Sequence, residues 1–229
     1  MPNAHSASHR IRVWDLPTRL FHWALMLAVV GLLITGNVGG NAMVWHLRLG
    51  YAVLTLLLFR LCWGLVGGHW SRFPRFLYAP GRVLADLRGR ADPDEQVGHS
   101  PLGALSVWIM LLALGLQVGS GLFSDDAIAF FGPLTRLVSA DTVEALTWYH
   151  KAVGKLVVLA LVLLHLLALL AYKVLRQRAL VAAMVHGDKV LAQPAPASRD
   201  GWPQWLLAAA LLGGCAAAVA WLVRWGFAV

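Results

Sequence analysis

Acidic residues are scarce in this chain. Its 229 residues include 11 Asp and Glu against 19 Lys and Arg, and charged residues of both signs reach only 13%. Soluble domains carry about twice that share, so the chain does not read as a freely soluble protein. The central parts of its long apolar runs hold no Asp or Glu. That removes the intramembrane carboxylates on which substrate and proton pathways usually depend, and weighs against a transporter. Cysteine is nearly absent: Cys62 and Cys215 lie on different apolar runs without metal-ligand neighbours, and both read as small core residues. No C-x-x-C-H motif occurs, which excludes covalent attachment of a c-type haem. A serine triad, a phosphate loop, a zinc motif and an internal repeat are missing as well.

What is present is apolar length. Hydrophobic residues make up 59% of the chain, and the mean hydropathy is +0.67. Five runs, about 20–36, 42–66, 102–123, 145–175 and 202–227, come close to or exceed the roughly 20 residues needed to cross a bilayer. They predict an all-α integral membrane protein. Residues 1–19 form an N-terminal segment, and 20–175 a four-helix transmembrane bundle. A basic linker over 176–201 includes Gln193-Pro-Ala-Pro-Ala-Ser198, which reads as a flexible link. Residues 202–229 add a C-terminal transmembrane helix that looks like an appendage. The short Gly-rich turn at 37–41 makes the first two spans antiparallel neighbours. His5, His9, Arg10, Arg12, Asp15 and Arg19 precede the first span without a small-residue cleavage pattern, so that span is expected to stay in the protein.

Basic residues alternate with the spans. Arg10, Arg12 and Arg19 precede the first; Arg72, Arg75, Arg82, Arg88 and Arg90 fill the second connector; Lys173, Arg176, Arg178, Lys189 and Arg199 follow the fourth. The first turn is uncharged, and the third connector sets Asp125, Asp126, Asp141 and Glu144 against Arg136. The positive-inside rule predicts a cytoplasmic N-terminus and an external C-terminus, with Arg224 a weak counter-signal. The net charge of +8 follows from topology and anionic headgroups, not from nucleic-acid binding.

Four histidines interrupt these runs: His22, His46, His150 and His165. A single imidazole in a spanning helix is as often an interhelical hydrogen-bond donor as a ligand. These four, however, pair by depth. His46 and His150 both begin spans that enter from the outside, while His22 begins the first span on the inside and His165 lies about 22 Å beyond His150 along the fourth. Fifteen residues turn a helix by four turns and about 60°, so both fourth-span histidines address roughly one face. The expected metal ligands are His22 with His165 and His46 with His150, each pair holding one non-covalent, bis-histidine haem b. His5, His9 and His186 read as solvated. His69 lies beyond the second span, and His99 is the one rival ligand.

The segments Arg12-Val-Trp-Asp-Leu-Pro-Thr-Arg-Leu-Phe-His-Trp23, Arg60-Leu-Cys-Trp-Gly-Leu-Val-Gly67, Arg72-Phe-Pro-Arg-Phe76 and Gly98-His-Ser-Pro-Leu-Gly103 resemble the bacterial cytochrome b561 family. So does the pair His150 and His165. This family includes the b-type cytochrome subunits of nickel-iron hydrogenases and formate dehydrogenases. The resemblance covers the first four spans and implies two b haems with the pairing reached from depth. One departure stands out: familiar members separate the two fourth-span histidines by 14 residues, not 15. A one-residue bulge within 153–164, or a turned ring, is expected to absorb the difference.

Haem propionates need cations. Arg60 returns to nearly the His46 face at the inner level, and Lys151, Lys155 and Arg48 are available outside; for each, a snorkelling interfacial cation is the plainer alternative. Trp148 and Tyr149 are candidates to pack on the outer haem, although the tryptophans near helix ends mostly form an interfacial belt. Gly31, Gly36, Gly50, Gly115, Gly119, Gly121 and Gly154 suit close approach of a macrocycle or, for most of them, of another helix. The functional expectation is transmembrane electron transfer between membrane quinone and a periplasmic cytochrome c, dehydrogenase or hydrogenase. Within the same family, a superoxide:ubiquinone oxidoreductase is the alternative, with Lys151 attracting the anion and the acidic connector repelling it. From a different class comes a haem-free, histidine-bearing transporter or membrane anchor.

Overall fold

The computed structural model describes residues 8–90, 92–178 and 180–228, so His5 lies outside the described residues. Among the described residues, five helices are long and apolar enough to cross a membrane. They include α1 (Leu16–Val38), α2 (Met43–Val66) and α4 (Pro101–Leu122), with the short α3 (Pro80–Leu87) between α2 and α4. The fourth span is compound: α5 (Ala140–Trp148), a π-helical turn (Tyr149–Gly154) and α6 (Lys155–Leu175). After α7 (Leu180–His186) comes the last span, α8 (Trp202–Ala228).

The chain divides into two compact units. The first comprises Met1–Leu20, Cys62–Val107 and Leu167–Ala208. Its centre is Asp15, a fully buried carboxylate that caps α1. Asp15 Oδ1 accepts from Thr18 N at 2.8 Å and Trp63 Nε1 at 3.1 Å, and Oδ2 accepts from Ser71 Oγ at 2.7 Å. Asp15, Thr18 and Trp63 all lie in the motif segments, and their contacts fix where α1 starts. α4 is started similarly, by Pro101 at its first position, Ser100 Oγ accepting from Gly103 N, and Asp86 of α3 accepting from Leu102 N.

The expectation of a purely helical protein with a flexible linker needs correction here. β1 (His9–Arg12) pairs antiparallel with β2 (Asp188–Leu191), with Arg12 opposite Asp188. Ser198 is buried, donating from N to Arg12 O and from Oγ to Val13 O, while Trp70 Nε1 donates to Pro196 O. Two four-residue strands far apart in sequence carry no detectable periodicity of their own; only tertiary pairing makes them strands. Burial opposes ionisation of Asp188, but hydrogen bonds from Arg12 and Arg10 outweigh it and keep its pKa low. Asp200 joins the end of the linker to the start of α1, accepting from Leu16 N at 2.9 Å and Arg12 at 2.6 Å.

The second unit comprises Phe21–Leu61, Trp108–Leu166 and Ala209–Val229. One apolar cluster draws Ala28 from α1, Val53 and Leu57 from α2, Leu114 and Val118 from α4, and Val158 from α6. α8 is not an appendage in this unit. Gly226 sits against Pro133 and Leu134, and the Phe227 ring meets Phe131 at 5.8 Å.

Candidate functional site

His46 and His150 come together. Their ring centroids are 6.0 Å apart and their planes nearly perpendicular, at 89°. Each ring is fixed through one nitrogen: His46 Nδ1 lies 3.1 Å from Leu32 O, and His150 Nδ1 lies 2.9 Å from Gln117 O. A carbonyl can only accept, so both Nδ1 atoms carry the proton and both Nε2 atoms keep a free lone pair. Metal-bound imidazoles show the same tautomer and the same anchoring of the distal nitrogen.

The two anchors share a pattern that the histidine-centred reading missed. On α1 the carbonyl of Leu32 is followed by Thr35 and Gly36; on α4 the carbonyl of Gln117 is followed by Ser120 and Gly121. In both, the hydroxyl follows by three residues and the glycine by four. Thr35 Oγ1 donates to Gly31 O and faces His46 Nδ1 at 3.4 Å; Ser120 Oγ donates to Gln117 O and faces His150 Nδ1 at 3.3 Å. A Cβ on Gly36 would stand 3.0 Å from His46 Cε1, and one on Gly121 would stand 2.9 Å from His150 Cε1. Only glycine lets either ring lie this close to its neighbouring helix. The available sequence signal was a hydroxyl-glycine pair at the same end of the first and third spans.

His22 and His165 belong to the same unit. His22 Nδ1 is buried and has no hydrogen-bond partner among the described residues. The Trp23 ring stands edge-on to His22 at 5.3 Å.

A bulge is present, but it lies earlier than expected. The π-helical turn covers Tyr149–Gly154, so it contains His150 and overlaps the expected 153–164 window only at its start. A π turn accommodates one extra residue in a helix. Gln117 explains its placement: Nε2 donates to His150 O at 3.0 Å, supporting a carbonyl in the widened turn, and the Gln117 side chain fills the space beside the buried Gly154.

The remaining candidates separate by burial. Arg60 is 3% exposed, far from a snorkelling position. Lys151 is exposed and acts electrostatically on Asp126. Trp148 is 63% exposed and lines a cavity of about 670 Å³ with Asp125, Arg136, Glu144 and other residues of the third connector. Asp126 organises its own loop, with Oδ1 accepting from Ile128, Ala129 and Phe130 N, and those bonds, with that from Phe130 foremost, lower its pKa. Arg48 lies over Trp45 at 5.1 Å. Gly31 packs against Leu49, whereas Gly50, Gly115 and Gly119 face open space. His99, the rival ligand, packs in the first unit against Trp14 and Phe76, each at 4.6 Å. Neither cysteine forms a disulfide, and no group of three or more His, Cys, Asp or Glu converges on a metal position, among the described residues.

Membrane-spanning helices that carry histidines in facing positions define a multi-pass protein of the membrane b-type cytochrome class. The chain belongs to the prokaryotic cytochrome b561 family, whose profile matches residues 13–187. It is similar to proteins named probable Ni/Fe-hydrogenase B-type cytochrome subunit. That of Bradyrhizobium diazoefficiens is 22% identical, covering 78% of this chain and 85% of the relative. The Azotobacter vinelandii protein is 26% identical, with 81% and 91% covered. An Escherichia coli K12 relative, a hydrogenase 1 subunit, is 22% identical, with 76% and 88% covered. No solved structure matches the chain.

The family implies haem b, and the side chains fit it. A metal bonded to two imidazoles at the usual distance of about 2.0–2.1 Å holds ring centres about 6.3 Å apart, close to the spacing of His46 and His150.

Proposed function

We propose that this protein is a di-haem b-type cytochrome that carries electrons across the bacterial inner membrane, between a hydrogenase-type partner at the outer face and membrane quinone. The observation that carries the reading is the His46–His150 arrangement: two facing rings, both anchored at Nδ1 and both with Nε2 left to bind. His46 and His150 hold the outer haem; His22 and His165 hold the inner one. Haem iron supplies reversible one-electron transfer when bound, and two histidine ligands leave no open position for oxygen.

The chain's own residues perform the positioning. Leu32 and Gln117 carbonyls keep the outer rings in one tautomer, while Gly36 and Gly121 admit them between helices. Buried Arg60 supplies a cation for the inner propionates, and Lys151 one for the outer propionates. Trp148 belongs to the outer rim, where its exposure suits a docking partner better than a haem face. The names of the relatives support a hydrogenase as that partner. Asp125 and Glu144 on the same rim repel a superoxide anion, which weighs against the oxidase alternative. The N-terminus is cytoplasmic on this reading, in keeping with the arginines of the N-terminal segment and of the second connector.

A pyridine haemochrome assay on the purified protein tests the proposal. About two b haems per chain are expected from two bis-histidine pairs, and one should be lost in His46→Ala or His150→Ala with the other retained. A chain without haem, or both haems retained in the two variants, refutes it.

A further inference from the structure

A cavity of about 320 Å³ opens between α2 and α8, lined by Tyr51, Ala52 and Thr55 on one side and Ala216, Val219, Ala220, Val223 and Arg224 on the other. Two of its polar groups have no counterpart. Among the described residues the buried Tyr51 hydroxyl has no hydrogen-bond partner, which is costly in an apolar setting. Thr55 does not relieve it, because Thr55 Oγ1 donates instead to the Tyr51 carbonyl. Arg224 is the one basic residue within α8 and is exposed, with no carboxylate paired to it among the described residues. The remaining walls are alanine and valine.

We propose that this cavity binds the phosphate of an anionic phospholipid, with the lipid's glycerol and upper acyl chain against the small apolar residues. An arginine and a phenol are both donors, so their common partner must be an acceptor, and the cation selects an anionic one. A phosphodiester at headgroup level meets both demands. A neutral quinone carbonyl would satisfy Tyr51 but leave the charge of Arg224 unmatched. The volume lies at the lower end of the ligand range, about 300–1,000 Å³, and suits a headgroup with the first part of one chain rather than a whole lipid. Bound there, the lipid joins α8 to α2. None of the four histidines lines the cavity, and the site does not depend on their ligating haem.

The test uses the full-length, haem-loaded protein in neutral detergent, with dioleoyl phosphatidylglycerol and dioleoyl phosphatidylcholine as probes. Native mass spectrometry reads retained lipid, and thermal unfolding reads stabilisation. Phosphatidylglycerol should be retained about tenfold more strongly than phosphatidylcholine, which carries the same phosphate but whose choline ammonium opposes the charge of Arg224. Arg224→Gln should abolish the preference, Tyr51→Phe should weaken retention, and Arg224→Lys should keep most of it. Ala220→Phe, which fills the cavity without altering a donor, should exclude both lipids. Equal retention of the two lipids, or a preference unchanged in Arg224→Gln, overturns the proposal. So does equal stabilisation by inorganic phosphate, or displacement of phosphatidylglycerol by decylubiquinone in a Tyr51-dependent way.

Discussion

The two histidine pairs of the second unit are built differently. His46 and His150 are each locked by a backbone carbonyl from the preceding long helix, backed by a hydroxyl and a glycine. His22 has a buried Nδ1 with no such partner among the described residues. The first pair is therefore organised by the polypeptide itself, whereas the second has the right neighbours but not the same restraint. Pre-organisation of a ligand lowers what binding must spend on ordering it. Histidines at comparable places in one sequence are thus not equally prepared to bind a metal.

The strongest way to break the contrast is to remove the space for one ring. Gly121→Val places a branched side chain where a bare Cβ already stands 2.9 Å from His150 Cε1, on a helix that cannot easily yield. The haem assigned to His46 and His150 should be lost, leaving about one per chain on the two-pair reading. Gly50→Ala, which faces open space, should leave both. Haemochrome content measures both variants, and an intact two-haem spectrum in Gly121→Val shows that the ring does not need its present position.

A second test concerns the helix that carries one histidine of each pair. Deleting Val153 removes the extra residue of the π turn and should restore a regular helix with the ligand spacing of familiar family members, so both haems should survive. Deleting Leu159 from regular α6 instead turns one histidine relative to the other by about 100°, and one haem should be lost. If the two deletions behave alike, the π turn does not compensate for the fifteen-residue separation.

The spans were legible because apolar length is a local property. The observed helices agree with the expected runs to within a few residues, α1 starting earlier because Asp15 and Pro17 extend it toward the motif. The four histidines were legible because polar groups are conspicuous in such runs. What stayed hidden depends on partners far away in sequence. β1 has no signal until β2 lies beside it, and the linker looked flexible because Ser198 gives no sign of Arg12 and Val13 across the unit. The carbonyls of Leu32 and Gln117 were illegible for a simpler reason: every residue has one, and only geometry selects the two that matter.

The third prediction separates the first unit from both pairs. Lys189 Nζ is buried and donates to the carbonyls of Gln96, Val97 and Gly98, and burial, followed by the charge of Arg178, lowers its pKa to about 8. The unfolded chain keeps the ordinary value near 10.5, so between these limits it binds more protons than the folded chain. Stability therefore rises as pH rises from about 8 toward 10.5, and falls back as pH drops through the folded pKa. Thermal unfolding at pH 7.5 and 9.5 should show this gain in the native protein relative to Lys189→Met. The haem spectra should not change in that interval; a spectral change in step with the stability would link the two units through this lysine.

The smallest effect should come from the hydroxyls behind the outer rings. Ser120 Oγ stands 3.3 Å from His150 Nδ1 but is secondary to the Gln117 carbonyl at 2.9 Å. Ser120→Ala removes a weak acceptor and leaves the tautomer fixed, so the haem should stay. An acceptor at Nδ1–H makes the imidazole a stronger donor to iron and favours the oxidised state. Its loss should raise the midpoint potential of that haem by roughly 20–40 mV, the equivalent of about 0.5–1 kcal/mol in a one-electron couple. Thr35→Ala should shift the same haem in the same direction through His46. Potentiometric titration resolves both variants against the unchanged second haem. A shift of the other haem, or a fall in potential, would mean that these hydroxyls do not act through the rings they face.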